Sequence, residues 1–159
     1  MTLPGIATGT RGRPCGLPLL LGLAGLIPFV VTAAMAWWAP MVWQVVAIRA
    51  FLFYGAVILS FLGGVQWGVA MSLEQAGSDG FRARLLLSMV PSLIAWPALL
   101  LHPFTAAWVL VAGFLVIRLH EAGRDSRELL PHWYQTLRTL LTLVVLVCHG
   151  VVIWRLWGG

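Results

Sequence analysis

Two stretches of the chain, Leu17–Trp38 and Ala50–Met71, carry no charged side chain at all. Crossing the roughly 30 Å hydrocarbon core of a bilayer takes about 20 apolar residues at about 1.5 Å of helix rise each, and both stretches meet that length. A water-soluble fold of this size could not bury them. Of the 159 residues, 60% are hydrophobic and only 9% charged, where a soluble domain carries about 25% charged residues. The solvent for this surface is therefore lipid. The fold class is all-α, a polytopic integral membrane bundle. Nine tryptophans suit it, because indole rings favour the membrane interface.

Three further apolar runs are shorter: Leu85–Leu101, Thr105–Ile117 and Thr139–Trp154. With flanking residues included, the pattern predicts about five transmembrane helices, near residues 17–38, 48–71, 84–101, 104–120 and 137–156. They form one transmembrane domain over 17–157, behind a cytoplasmic tail over 1–16. Arg118 would snorkel to the interface at the end of the fourth helix, and Arg138 and Arg155 would bracket the fifth. The third and fourth runs, joined by Leu101-His102-Pro103, also suit a re-entrant hairpin. The first run has features of a cleaved signal peptide, with Arg11 and Arg13 ahead of it and Ala34-Met35-Ala36 inside it. The Trp37-Trp38 anchor that follows favours a retained helix.

The net charge is +5, and every cationic side chain apart from histidine is arginine. These arginines lie mostly in short loops between apolar runs, where they mark topology and contact with anionic lipid rather than nucleic acid. Arg11, Arg13, Arg82, Arg84, Arg118, Arg124, Arg127 and Arg138 fall on one predicted side, and Arg49 and Arg155 on the other. The positive-inside rule then puts the N-terminus in the cytoplasm and the C-terminus outside. Cys15 and Cys148 form no CxxC pair and no disulfide framework.

Within the second helix, Ala56, Ser60, Gly64 and Gly68 recur every four residues. Small side chains at that spacing make a shallow groove for another helix, either within the bundle or on a partner subunit. Pro28, Pro91 and Pro97 lie in the first and third helices, and each frees a carbonyl one turn earlier, at Ala24, Leu87 and Leu93. Gln66, Ser88, Ser92 and Thr142 fall at matching depth on the predicted topology and form a candidate polar cluster with His149. Polar side chains in such a cluster typically act as interhelical glue. His149, near mid-membrane, is a weak candidate cofactor ligand; an imidazole bonded inside the bundle is the plainer reading. His102 sits at a helix end, so a bis-histidine haem lacks its second ligand.

No catalytic or metal residue is assigned and no cofactor is expected. The sequence has no GxSxG, HExxH or glycine-rich phosphate loop, and no acidic residue falls within the apolar runs. Glu121, Asp125 and Glu128 alternate with Arg124 and Arg127, which predicts a solvated helical face. Leu129–Tyr134 mixes apolar and aromatic residues and predicts an interfacial segment.

The block Tyr54–Gly68, with Gly25-Leu26-Ile27-Pro28-Phe29 ahead of it and Pro91–Trp96 and Leu130–Tyr134 behind it, resembles an uncharacterised membrane family. That family is defined only as a domain of unknown function and includes the eukaryotic transmembrane protein 69. The resemblance covers about Leu19 to Val147. It implies a multi-helix inner-membrane protein, bacterial or mitochondrial, and supplies no activity. It also implies histidine at the position of Gln66 in many members, an imidazole this chain lacks. With no long transit peptide ahead of the first run, the bacterial cytoplasmic membrane is expected, with the mitochondrial inner membrane as the alternative.

The expected function is that of a small accessory subunit or assembly factor, whose partners are membrane lipids and other membrane subunits. The alternative is a small neutral-solute transporter or channel acting as an oligomer. The topology has a direct test. Reporter fusions at Gly159 and in the loop near Arg124 should give opposite signals, with Gly159 outside. Equal signals would mean an even helix count between them.

Overall fold

A computed structural model describes residues 16–73, 77–123 and 132–158. Among these there is no strand. The first rod consists of two short helices, α1 (Gly16–Ala24) and α2 (Ile27–Trp38), followed by α3 (Met41–Leu73), α4 (Asp79–Ala98), α5 (Pro103–Glu121) and α6 (His132–Trp157). Gly16–Trp38, Met41–Ser72, Pro103–Glu121 and Trp133–Trp157 are each long and apolar enough to cross a bilayer. Helix α4 opens on Asp79, Arg82 and Arg84, but its 20 residues reach about 30 Å, the same thickness. It packs antiparallel along α3, with Arg84 beside Gln66 and Ser88 beside Gly63, but it is not among the four helices apolar enough to cross.

Several boundaries differ from the sequence reading for local reasons. Helix α3 starts at Met41, not at residue 48, because Ala39-Pro40 is the only break after α2 and Arg49 points outward without ending the helix. Helix α6 starts at His132, not 137, which moves Arg138 from the helix end to its second turn. The first helix is broken rather than merely bent. Pro28 sits in the first turn of α2, where a missing N–H costs nothing. The turn before it exposes a carbonyl, and the Tyr54 hydroxyl of α3 donates to the Gly25 oxygen at 2.8 Å. A neighbouring side chain thus satisfies a backbone carbonyl of the turn that breaks the rod. The acidic and basic residues at 124–128 and the segment 129–131 lie outside the described residues.

Lipid tails are as apolar as leucine, so these helices gain little by hiding apolar surface from one another; close packing and buried polar bonds hold them instead. On α5 the buried face reads Ala106, Ala107, Leu110, Gly113, Phe114, Ile117 and Glu121, a helical stripe. On α4 it reads Arg84, Ser88, Pro91, Ala95 and Ala98. Phe29, Phe51, Leu59 and Phe114 fill the centre.

Glycine permits the closest approaches. A Cβ on Gly63 would collide with the Ser88 carbonyl of α4, and one on Gly113 would meet the Leu59 side chain at 2.5 Å. Neighbouring Gly64, by contrast, faces open space. Gly63→Ala should therefore cost about 1–3 kcal/mol, because a backbone oxygen cannot step aside. Gly64→Ala should stay within about 0.5 kcal/mol of wild type. Denaturant unfolding in detergent compares the two, and equal costs would contradict the α3–α4 packing described.

Candidate functional site

Four helices contribute one side chain each to a buried polar network near one end of the bundle. Gln66 of α3 stands between Arg84 of α4 and Glu121 of α5. The Arg84 guanidinium donates to Gln66 Oε1 at 3.1 Å, and Gln66 Nε2 donates to Glu121 Oε1 at 2.9 Å. Arg138 of α6 closes on the same carboxylate with two bonds, Nε to Oε2 at 3.1 Å and Nη2 to Oε1 at 2.9 Å. The two partners fix the Gln66 amide orientation: its oxygen must face the cation and its nitrogen the anion.

Glu121 is only 1% exposed. This corrects the expectation of a solvated acidic face at that position, and with it the expectation that no acidic group lies within the apolar bundle. Helix α5 simply continues its buried stripe one turn past Ile117, and the next residue on that stripe is Glu121. A carboxylate taken out of water needs a close partner and saturated hydrogen bonding, and the fork of Arg138 supplies both. Arg118, on the same end of α5, does not simply snorkel outward: its Nη2 donates to Thr139 Oγ1 of α6 at 2.6 Å.

The five residues of the sequence-derived polar cluster do not meet. Gln66 joins the ion network. Ser88 is buried beside Gly63 and donates to its own helix at Leu85 O, 2.6 Å away. Ser92 is half-buried. Thr142 lines an apolar cleft. His149 is fully buried near the bundle centre, with Nδ1 2.9 Å from the Val145 carbonyl. That carbonyl can only accept, so Nδ1 carries the proton, and Nε2 has no partner among the described residues. The rings of Phe51, Phe114 and Phe29 stand 4.6, 5.6 and 5.9 Å from it, and Gly55 lets the imidazole lie close against α3.

The small-residue stripe also divides. Ala56 is buried and Ser60 half-buried, while Gly64 and Gly68 face outward with nothing within 4 Å of an added Cβ. Arg84, Glu121 and Arg138 were not singled out from the sequence as site residues. The signal was available in the stripes that Ile117–Glu121 and Arg84–Ser88–Pro91 extend.

The opposite end is knit by fewer charges. Arg155 Nη2 donates to Gln44 Oε1 at 2.8 Å, its guanidinium lies 6.0 Å from the Trp37 ring centre, and Trp37 Nε1 donates to the Val151 carbonyl at 3.2 Å.

Fold and site together define a polytopic membrane protein whose helices are locked by an internal ion network. The chain belongs to the family described as "Protein of unknown function (DUF3429)", whose profile matches residues 16–154. It is similar to transmembrane protein 69 of Xenopus tropicalis, with 43% identity over 127 residues, 79% of this chain and 49% of the relative. It is also similar to transmembrane protein 69 of Mus musculus, with 31% identity over 138 residues, 85% of this chain and 54% of that relative. The chain thus spans about half the length of the curated relatives it matches. No solved structure matches it.

The network makes a sharp energetic prediction. Glu121→Ala strands Arg138 in the bundle and should destabilise by about 3–5 kcal/mol, whereas the double replacement Glu121→Leu with Arg138→Met should recover most of that loss. Thermal unfolding of the purified protein measures both. A single variant as stable as wild type would show that the pair is solvated rather than buried.

Proposed function

We propose that this protein is a non-catalytic accessory subunit or assembly factor of a larger inner-membrane complex. The observation that carries this reading is the engagement of Glu121. The carboxylate buried in the bundle is held by Gln66 and by both arms of Arg138, so it serves as a fastener between helices. A carboxylate held this way is poorly suited to proton transfer or to binding a passing solute. The transporter reading has less behind it. The Gln66 amide is bonded on both of its polar atoms, and of the five polar residues considered only Thr142 lines the apolar cleft.

The partner face we infer is the outer side of α3 around Gly64 and Gly68, flanked by outward-facing Phe61 and Trp67. Exposed glycine lets another helix backbone approach closely, and van der Waals contact of that kind drives association in lipid. The arginine asymmetry supports placing the network end on the cytoplasmic side, or the equivalent side of a mitochondrial inner membrane. Both relatives are from animals, which makes the mitochondrial membrane as natural a place to seek the partner as the bacterial one.

The test is purification of the tagged protein from native membrane in mild detergent, with and without Gly64→Leu and Gly68→Leu together. Wild type should carry a defined membrane protein companion. The double variant should lose at least about nine-tenths of it while its unfolding temperature is unchanged. A companion retained in full by the variant, or a wild-type protein that is always a bare monomer, would overturn the reading.

A further inference from the structure

A cleft of about 410 Å³ opens between the first rod and α6, with α3 and Phe114 of α5 behind it. That volume lies within the range of about 300–1,000 Å³ typical of small-molecule sites. Its walls are almost wholly apolar; apart from Thr142, its polar side chains gather toward one end. Along α6 the lining runs from Trp133 to Val145, about 18 Å at the helical rise. Half of a roughly 30 Å hydrocarbon core is about 15 Å, so the cleft is about one leaflet deep.

The end of the cleft at the start of α6 carries Trp133, Tyr134 and Arg138, and Arg138 is the one charged residue lining the cleft among the described residues. Tryptophan and tyrosine favour the headgroup level. Arg138 spends Nε and Nη2 on Glu121, and Nη1 takes no part in that pair. A guanidinium can bind a second anion through such donors, and phosphate suits its planar geometry.

The wall on the α1 side is thin. No residue of α1 is buried, and α1 joins α2 through the break at Gly25-Leu26. With no α1 residue buried, the outer face of this wall is left to lipid. We propose that it holds one acyl chain of an anionic phospholipid drawn from the leaflet at the network end, with the lipid phosphate at Arg138 and Tyr134. The match of depth to one leaflet, the cation at headgroup level and a wall that faces lipid together favour a leaflet lipid.

The full chain, purified in detergent, can be incubated with vesicles equimolar in dioleoyl phosphatidylglycerol and dioleoyl phosphatidylcholine, re-isolated, and weighed intact by native mass spectrometry. One retained phospholipid is expected, with phosphatidylglycerol favoured at least about fivefold. Val65→Trp and, separately, Gly22→Leu fill the cleft from α3 and from α1. Each should lower lipid retention about tenfold. Gly22→Leu guards against misfolding, since a Cβ there meets only side-chain ends, Leu141 at 3.1 Å and Leu137 at 3.8 Å, and its unfolding temperature is recorded alongside. The proposal is overturned by any of three results: a neutral isoprenoid, a second copy of the chain or nothing at all in place of the phospholipid; equal retention of the two lipids; or undiminished retention in a folded, cleft-filled variant. The readout is lipid mass, so it stands or falls independently of any protein companion.

Discussion

A carboxylate can enter a helical bundle in lipid only if something answers its charge, and four of the helices take their positions from how Glu121 is answered. Its partners come from α3 and α6 directly and from α4 through the Gln66 amide. None of these side chains can move far without leaving a polar group stranded, because lipid offers no replacement donor. The network therefore fixes the axial register of the helices as well as their neighbourhood. A slide of one residue along α5 would carry Glu121 about 1.5 Å along the axis and turn it about a quarter of a turn away from both partners. Apolar packing alone tolerates such slips far better.

The rest of the bundle is arranged around that register. Gly63 meets the Ser88 carbonyl, one turn along α4 from Arg84, so the closest approach of α3 and α4 lies next to the bond between Gln66 and Arg84. Gly113 admits Leu59 two turns before Glu121 on α5. The glycine contacts and the charged contacts are successive rungs of the same interfaces. Small residues let the backbones come near enough for the polar side chains to reach, and the polar bonds select the register in which the glycines line up.

Much of this was legible in the sequence, and the misreadings have physical causes. The helical class and the membrane solvent followed from uncharged length alone. The polar importance of Gln66 followed from the cost of an amide in lipid, which demands partners at its own depth. Its partners were missed because charged residues near a run end look like loop residues when each is judged by its type. Glu121 is followed by Arg124, Asp125, Arg127 and Glu128, and alternation of sign is normally the mark of a wet face. Helical phase gives the better guide: Gly113, Phe114, Ile117 and Glu121 share one side of α5, and a residue in phase with a core stripe is buried whatever its charge. Arg84 and Arg138 follow the same rule, in phase with Ser88 and Pro91 on α4 and with Thr142 and Val145 on α6.

Helical phase also explains why the small-residue stripe could not be resolved from spacing. Gly63 and Gly64 are adjacent in sequence and about 100° apart around α3. One is sealed against a backbone oxygen and the other open. A four-residue repeat through Gly64 and Gly68 says that a groove exists, but it says nothing of which neighbour lies in it. That depends on where α3 is held, and α3 is held by Gln66. Gln66 faces Arg84 and Glu121, so Gly63, three residues earlier, turns toward α4. Gly64 and Gly68, two residues either side of Gln66, are carried away to the outer surface. The bond that locks the inside of the bundle thereby decides which glycines it leaves bare.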